Sequence, residues 1–186
     1  MIGLIGTALA VTVGIAATGM LLAPVERSGE SLISDAEARA GLEQVSDYGI
    51  NLIAYATVRR TDGTYRRMLI TPESLDEMTD GADLPEGTRI LMETYYNPGQ
   101  VGTVFHKQKV GGGWNYGSFS AARPDLATSP RASCLACHAR ASDTDFTFTL
   151  PSVMTAAESG IASDFTCDRG GRAPCGPHVY RNGAGR

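Results

Sequence analysis

The sequence contains almost no lysine. Of its 16 basic residues, only Lys107 and Lys109 are lysines, and they lie two positions apart. The formal net charge is −4 and the isoelectric point is near 5.3. Binding to nucleic acid requires a basic protein surface, so we expect no nucleic-acid partner.

Ionisable side chains are also absent from residues 1–25, and the first basic residue is Arg27. About 20 helical residues cross a bilayer core, and this apolar run is longer than the roughly 7 to 15 residues of a cleavable signal core. We therefore predict an uncleaved membrane anchor, with a cleaved signal segment as the alternative. Both place the remaining chain outside the cytoplasm. The expected location is periplasmic, on the inner membrane if the anchor is kept.

Cysteine is sparse, and two of the four cysteines form the run Cys134-Leu135-Ala136-Cys137-His138. The pattern C-x-x-C-H is the attachment motif of a c-type haem. One helical turn places both thiols beside the haem vinyl groups, and the adjacent imidazole turns under the iron as an axial ligand. The alternative is a structural zinc held by these three residues, with Cys167 or Cys175 as the fourth ligand. Zinc ribbons usually supply a second close pair, which favours one covalently attached haem c.

Cys167 and Cys175 are the cysteines that remain once haem has taken its pair, and we expect them to form a disulfide. They lie in residues 161–186, a Gly/Arg-rich segment that we predict to be a tail. His178 follows closely after Cys175 and is assigned to the same tail.

The rest of the chain is predicted to form one domain. Roughly 130 residues remain between the N-terminal segment and the tail, enough to bury a core of their own. Residues 26–46 indicate a spacer and a helix, because residues 34–37 form a capping box and the helix is expected to reach about Asp47. Residues 47–160 are the expected haem-binding domain.

Alternating apolar residues predict about five antiparallel strands. The first strand carries one apolar face, made of Ile50, Leu52, Ala54, Ala56 and Val58. The others are expected at residues 65–71, 88–96, 101–110 and 114–120. Helices are predicted at residues 72–80, from the haem motif onward, and at 151–160. The fold class is therefore α+β, a mainly antiparallel five-stranded sheet packed with helices around a covalently bound c-type haem.

A two-residue hairpin of the type I′ kind is predicted at Asp62-Gly63. In that register Arg59 lies opposite Arg66. Two like charges paired across a sheet are unfavourable unless an anion lies between them, and a haem propionate is such an anion. The alternative is that both guanidinium groups extend into water.

The order of motifs resembles the cytochrome P-460 family, which includes the cytochromes called c′-beta. The resemblance covers roughly residues 47–154. Its most specific part is the C-x-x-C-H run followed by Asp145-Phe146-Thr147-Phe148-Thr149, similar to the family's acidic residue and F-T pattern at the same offset. Weaker matches are Arg66 with residues 70–72, then Leu-Pro-x-Gly-Thr at residues 84–88, then Gly113-Trp114.

The resemblance implies a five-stranded sheet, a haem with His138 as proximal ligand, and a sixth position open to small molecules. It places Arg66 in or beside the haem pocket, and a homodimer is compatible with it. Met92 stands where the hydroxylamine-oxidising members have a lysine cross-linked to haem. Val104 or Phe105 stands where they have a distal glutamate. Residues expected around the haem are thus Cys134, Cys137, His138, Arg66, Met92, Phe105 and Trp114.

Three classes of function follow from these residues. The favoured one is an exported mono-haem cytochrome that binds a small diatomic ligand such as nitric oxide, because an apolar cap lacks the base that hydroxylamine oxidation requires. The alternatives are a periplasmic electron-transfer cytochrome with a redox partner protein, and a haem enzyme acting on small nitrogen compounds. Possession of a catalytic activity stays open, and Met92 argues against it. His106 is weighed as a distal ligand, whereas Met68 and Met92 are expected to pack in the core.

Overall fold

The computed structural model describes residues 42–78, 83–97, 99–170 and 175–181. These residues belong to one compact unit, Ile33–Arg186. Its strands are β1 (Gln44–Val45), β2 (Leu52–Arg60), β3 (Tyr65–Ile70), β4 (Arg89–Asn97), β5 (Gln100–Val110), β6 (Gly113–Ser120) and β7 (Ser163–Cys167). Its helices are α1 (Pro72–Asp76), α2 (Ala132–His138), α3 (Leu150–Ser159) and α4 (Pro177–Arg181), with a 3₁₀ helix at Ala139–Thr144.

The α+β class is confirmed, but the sheet has seven strands where five were predicted. Strands β1 to β6 follow one another in an antiparallel order, and β7 pairs in parallel with β2. The additional strands are β1 and β7. Gln44 and Val45 were predicted to end a helix, but they pair with Ile53 and Leu52, and Val45 is buried there. The capping box proposed for the start of that helix lies outside the described residues, as does the predicted anchor.

The segment after Gly160 is not simply a tail. In β7 the side chains of Ser163, Phe165 and Cys167 are buried in strict alternation. Tyr180 of α4 is buried and contacts Phe165 with ring centroids 5.7 Å apart. The abundance of glycine and arginine beyond β7 concealed this short period-two pattern, which adds an edge to the sheet.

A bulge divides strand β2 between the two faces of the sheet. Its pairing with β3 shifts between Ala54 and Ala56. Leu52 and Ala54 consequently pack on one face, whereas Ala56 and Val58 pack on the other. The prediction of a single apolar face for this strand is therefore wrong, because one extra residue reverses the direction of every side chain that follows.

The first hairpin has a three-residue loop, not the predicted two-residue loop. The N–H of Arg60 donates to the carbonyl of Thr64 at 2.9 Å, and Gly63 adopts a left-handed φ of 81°. This is the usual geometry of a three-residue connection with glycine in the left-handed position. The register therefore shifts by one residue, and Arg59 pairs with Tyr65 instead of Arg66.

The remaining elements follow the prediction closely. Helix α3 begins with Pro151 in its first turn and ends at Gly160, whose φ is 63°. Helix α1 is shorter than predicted and ends at Asp76. Helix α3 packs against α1 and β2 and covers one face of the sheet. Within the described parts of the chain, no helix is both long enough and apolar enough to span a membrane.

Candidate functional site

Helix α2 brings the two motif thiols and the motif imidazole to one cavity. Cys134, Cys137 and His138 all line it, and both cysteines are free thiols. Leu135, between them, points away and is 43% exposed. No side chain of α2 is buried against protein. A helix that packs so little on its own chain, yet turns two thiols inward, fits one that is anchored through a covalent cofactor.

His138 has the hydrogen-bonding pattern of a metal ligand. Its Nδ1 lies 2.8 Å from the carbonyl oxygen of Phe146. Because a carbonyl only accepts, Nδ1 carries the proton and Nε2 is left with its lone pair. Burial, with a contribution from the Lys107 charge, lowers the pKa of His138 to about 4. The imidazole is therefore neutral at pH 7, as iron coordination requires.

The turn that supplies this carbonyl is held in an unusual conformation. Asp145 and Phe146 have φ values of 49° and 55°, in the left-handed region that non-glycine residues rarely occupy. The Asp145 carboxylate accepts hydrogen bonds from the backbone N–H of Leu84 at 3.0 Å, Lys109 Nζ at 2.9 Å and Trp114 Nε1 at 3.2 Å. These three bonds fix the turn and, with it, the position of the Phe146 carbonyl.

Trp114 thus has a different place from the one the sequence suggested. It does not line the cavity among the described residues, although it is buried and lies just behind the wall. Its indole N–H holds Asp145, and its ring lies 3.6 Å from Lys107 Nζ. Trp114 is better described as a support of the turn than as a cofactor contact.

The opposite wall of the cavity is one face of the sheet, called here the cavity face. A row across three strands pairs Met68 with Met92 and Met92 with Phe105. All three line the cavity, whose volume is about 260 Å³. Val104 is on the other face, in the cluster that contains Leu91. Of the two residues considered for the distal glutamate position, Phe105 is therefore the one that faces the cavity.

Lys107 was missed as a site residue. It follows Phe105 on the cavity face, lines the cavity and is only 5% exposed. Its Nζ donates to the Phe146 carbonyl at 3.0 Å and to Thr147 Oγ1. Burial holds the pKa of Lys107 well below its usual value, against the attraction of Asp145. Two signals in the sequence could have identified Lys107. Lysine is scarce in this chain, and Lys107 alternates with Phe105 along the same strand.

Only one residue of the predicted arginine pair reaches the cavity. Arg66 lines it, and burial and the charge of Arg60 lower the pKa of Arg66. Arg59 lies at the surface, 67% exposed, 3.6 Å from Asp164. Arg60, not Arg59, is therefore the second cation near Arg66, because the register differs by one residue. Tyr180 also lines the cavity, which its assignment to a tail could not predict.

The other histidines are not placed as iron ligands. His106 borders the cavity, but its ring lies on the opposite face of the sheet, over Gly117 and 5.3 Å from the Phe119 ring centroid. His178 is exposed on α4 and does not line the cavity among the described residues. The rings of His106 and His178 therefore do not enter the cavity opposite His138, where a distal ligand would have to lie.

The residues present fit a haem better than a zinc ion. Cys167 and Cys175, the possible fourth zinc ligands, are joined in a disulfide. No group of three or more His, Cys, Asp or Glu side chains in the described chain is arranged to hold a metal ion. The Tyr116 hydroxyl is buried and has no hydrogen-bond partner in the part of the chain that the structure describes, and its ring lies 5.3 Å from that of His138. Burial is the main reason that the pKa of Tyr116 rises to about 12.

Comparison with known proteins agrees with this site. The family model for cytochrome P460 matches residues 102–149, which include most of β5, all of β6, the C-x-x-C-H motif and the Asp145 turn. No curated protein is similar enough to the chain to count as a match.

Proposed function

We propose that this chain, whose residues 102–149 match the family model for cytochrome P460, is a mono-haem c-type cytochrome that binds a small neutral ligand such as nitric oxide. Cys134 and Cys137 would attach the haem, since each thiol can add across a vinyl group with its hydrogen passing to the second vinyl carbon. His138 Nε2 would hold the iron. Arg66 lies where a propionate could accept its hydrogen bonds. When bound, haem supplies an iron atom with an axial position for ligands.

One observation carries the choice of ligand. Among the described residues that line the cavity there is no aspartate or glutamate. The cavity face instead presents Met68, Ile90, Met92 and Phe105. Lys107 on the same face is bonded to the Phe146 carbonyl, which also accepts from His138. A substrate that must lose protons needs a base within reach, whereas a neutral diatomic molecule needs only an apolar space. The apolar wall therefore supports ligand binding over hydroxylamine oxidation.

A disulfide supports the export part of this proposal. Cys167–Cys175 is a bond that persists in oxidising compartments such as the periplasm. Attachment of a c-type haem outside the cytoplasm would agree with it.

The absorption spectrum of the ferrous protein tests the proposal directly. A five-coordinate high-spin spectrum, which changes on addition of nitric oxide, is the expected result. A six-coordinate low-spin spectrum without added ligand would contradict an open site. Addition of hydroxylamine to the ferric protein, with a reducible dye as electron acceptor, should give no sustained turnover.

An electron-transfer cytochrome is the second candidate, because Met68 and Met92 both line the cavity. Thioether ligation would fill the sixth position and give a low-spin haem. The single variants Met68→Leu and Met92→Leu distinguish the cases. If either residue is a ligand, its variant becomes high-spin. If both only pack, the two variants keep the spectrum of the unmodified protein.

A further inference from the structure

The carbonyl oxygen of Phe146 accepts hydrogen bonds from two side chains, those of His138 and Lys107. His138 Nδ1 lies 2.8 Å from this oxygen, and Lys107 Nζ lies 3.0 Å from it. The ammonium or amine of a lysine can donate in either protonation state. The proximal imidazole therefore shares its hydrogen-bond acceptor with a buried lysine.

Lys107 is held at this oxygen by its surroundings. Its Nζ also donates to Thr147 Oγ1, and it lies 3.6 Å from the centroid of the Trp114 ring. Thr147 Oγ1 in turn donates to the Asp145 carbonyl at 2.9 Å. The side chain is 5% exposed and is paired across the sheet with Ile90 and Tyr116. A lysine so enclosed, with its nitrogen directed at two acceptors of one turn, has little freedom to lie elsewhere.

The Asp145 carboxylate forms its hydrogen bonds with other groups and does not replace Lys107 at the Phe146 carbonyl. Its carboxylate binds Lys109 Nζ at 2.9 Å, Trp114 Nε1 and the N–H of Leu84. The two lysines of the chain thus serve the same turn in different ways. Lys109 fixes the carboxylate, and Lys107 polarises the carbonyl that faces His138.

We propose that Lys107 is a positioning residue that weakens the bond between His138 and the haem iron by competing for the Phe146 carbonyl. The inference rests on the proposed haem site. A carbonyl that accepts from two donors is a poorer acceptor for each. The Nδ1–H bond of His138 is then less polarised, and its Nε2 is a weaker electron donor to the iron. Outer partners of a ligating histidine tune its basicity in this way.

Replacement of Lys107 by methionine removes the competing donor and keeps an unbranched side chain of similar length. The iron–histidine stretching frequency of the ferrous protein, measured by resonance Raman spectroscopy, should rise in Lys107→Met. The reduction potential should fall, because a more basic imidazole and the loss of a nearby cation both favour ferric iron. An unchanged frequency in Lys107→Met would overturn the proposal.

Lys109→Met is the matched control for charge. It removes a cation from the same strand and face, but that cation contacts Asp145 and not Phe146. Its reduction potential should fall. Its iron–histidine frequency should stay near that of the unmodified protein, because Trp114 Nε1 and the N–H of Leu84 still hold the Asp145 carboxylate and the turn. An equal rise of the frequency in both variants would show that charge alone is responsible and would refute the role of the carbonyl.

Lys107→Gln keeps the test decisive if the methionine variant fails to take up haem. An amide N–H retains a donor for the Phe146 carbonyl without the charge. The iron–histidine frequency of Lys107→Gln should match that of the unmodified protein, while its reduction potential falls. A raised frequency would contradict the proposed hydrogen bond to the Phe146 carbonyl. A ferrous spectrum that is six-coordinate and low-spin would instead refute the open site of the proposed function. In that case the reduction potentials would still test Lys107, because Lys107→Met and Lys107→Gln lose the same charge but only the methionine variant loses the donor to the Phe146 carbonyl. The potential of Lys107→Met should be the lower of the two, and equal potentials would refute the role of the carbonyl.

Discussion

At the scale of single residues, Met92 marks the difference from the hydroxylamine-oxidising relatives named by the sequence resemblance. Met92 lies on the cavity face between Met68 and Phe105. The position at which the resemblance expects a cross-linked lysine therefore does face the proposed haem site. Lys107 also lines the cavity, but its Nζ is bonded to the Phe146 carbonyl, and Lys109 is bonded to Asp145. A cross-link to haem from the unmodified chain is therefore not expected.

Substitution of Met92 by lysine tests this position. Treated with hydrogen peroxide as the two-electron oxidant, Met92→Lys should acquire a covalent link to the haem and a red-shifted spectrum, because the new amine would extend from the cavity face. The bond would replace one N–H hydrogen of the amine and one C–H hydrogen of the haem, and the peroxide would be reduced to water. Mass spectrometry of proteolytic haem peptides would then show a second peptide joined to the one that carries Cys134 and Cys137. The unmodified protein is the control and should yield that one peptide alone. Two joined peptides from the unmodified protein would contradict the assignment.

At the scale of elements, α2 is the segment through which haem would be fixed. Both of its thiols line the cavity, and it buries no side chain against protein. We expect haem to stay with the denatured protein on extraction with acidified acetone. Cys134→Ala and Cys137→Ala should each leave a single thioether, and the double variant should release the haem into the organic phase. Release of haem from the unmodified protein would rule out covalent attachment.

The elements also show how far the sequence could predict the fold. Strands β3 to β6 were anticipated to within a residue or two, because their alternation and their turns are local signals. Register was not. One bulge at Ala54 to Ala56 changed which side chains of β2 share a face, and one extra loop residue at Gly63 displaced the facing partners of Arg59 and Arg66. These depend on pairing between strands, which no short window of sequence contains.

Some residues of the candidate site were also predicted from the sequence, and others were missed. The spacing of Cys134, Cys137 and His138 was enough to predict that these three side chains face one cavity. The role of Lys107 did not, since it arises where β5 meets a turn that lies 39 residues later in the chain. Tyr180 was missed for a similar reason, because its place at the cavity depends on the pairing of β7 with β2.

At the scale of the whole molecule, the Cys167–Cys175 disulfide ties α4 to the end of β7. On the chain-entropy account, closing a loop of this size stabilises the fold by about 2.5 kcal/mol. The double variant Cys167→Ser/Cys175→Ser should lower the free energy of unfolding by about that amount and loosen Tyr180 at the cavity. Thiol labelling of the denatured, unreduced holoprotein is the direct measurement. Any labelled cysteine among these two would contradict the pairing.

Acid stability should depend on His106, which lies apart from the haem site. It is 4% exposed, and its ring lies 5.3 Å from the ring centroid of Phe119, on the face of the sheet opposite the cavity. Burial, then the charge of Arg89, lowers the pKa of His106 to about 4, with Asp125 opposing and Arg131 adding to the effect. The unfolded chain binds a proton at His106 below about pH 6.5, whereas the folded chain does so only near pH 4. The contribution of His106 to the free energy of unfolding is thus fully present above pH 6.5 and is lost as the pH falls toward 4.

The loss should amount to up to about 3 kcal/mol. Urea unfolding of the holoprotein at pH 7.5, 6 and 5 measures it, with His138 kept from titrating by the iron. His106→Leu, which cannot take up a proton, should show a flatter dependence over this range, because the remaining slope belongs to the carboxylates. His178→Leu, at an exposed position, is the control and should retain the slope of the unmodified protein. A slope that His106→Leu leaves unchanged would mean that His106 takes up its proton as readily in the folded chain as in the unfolded one.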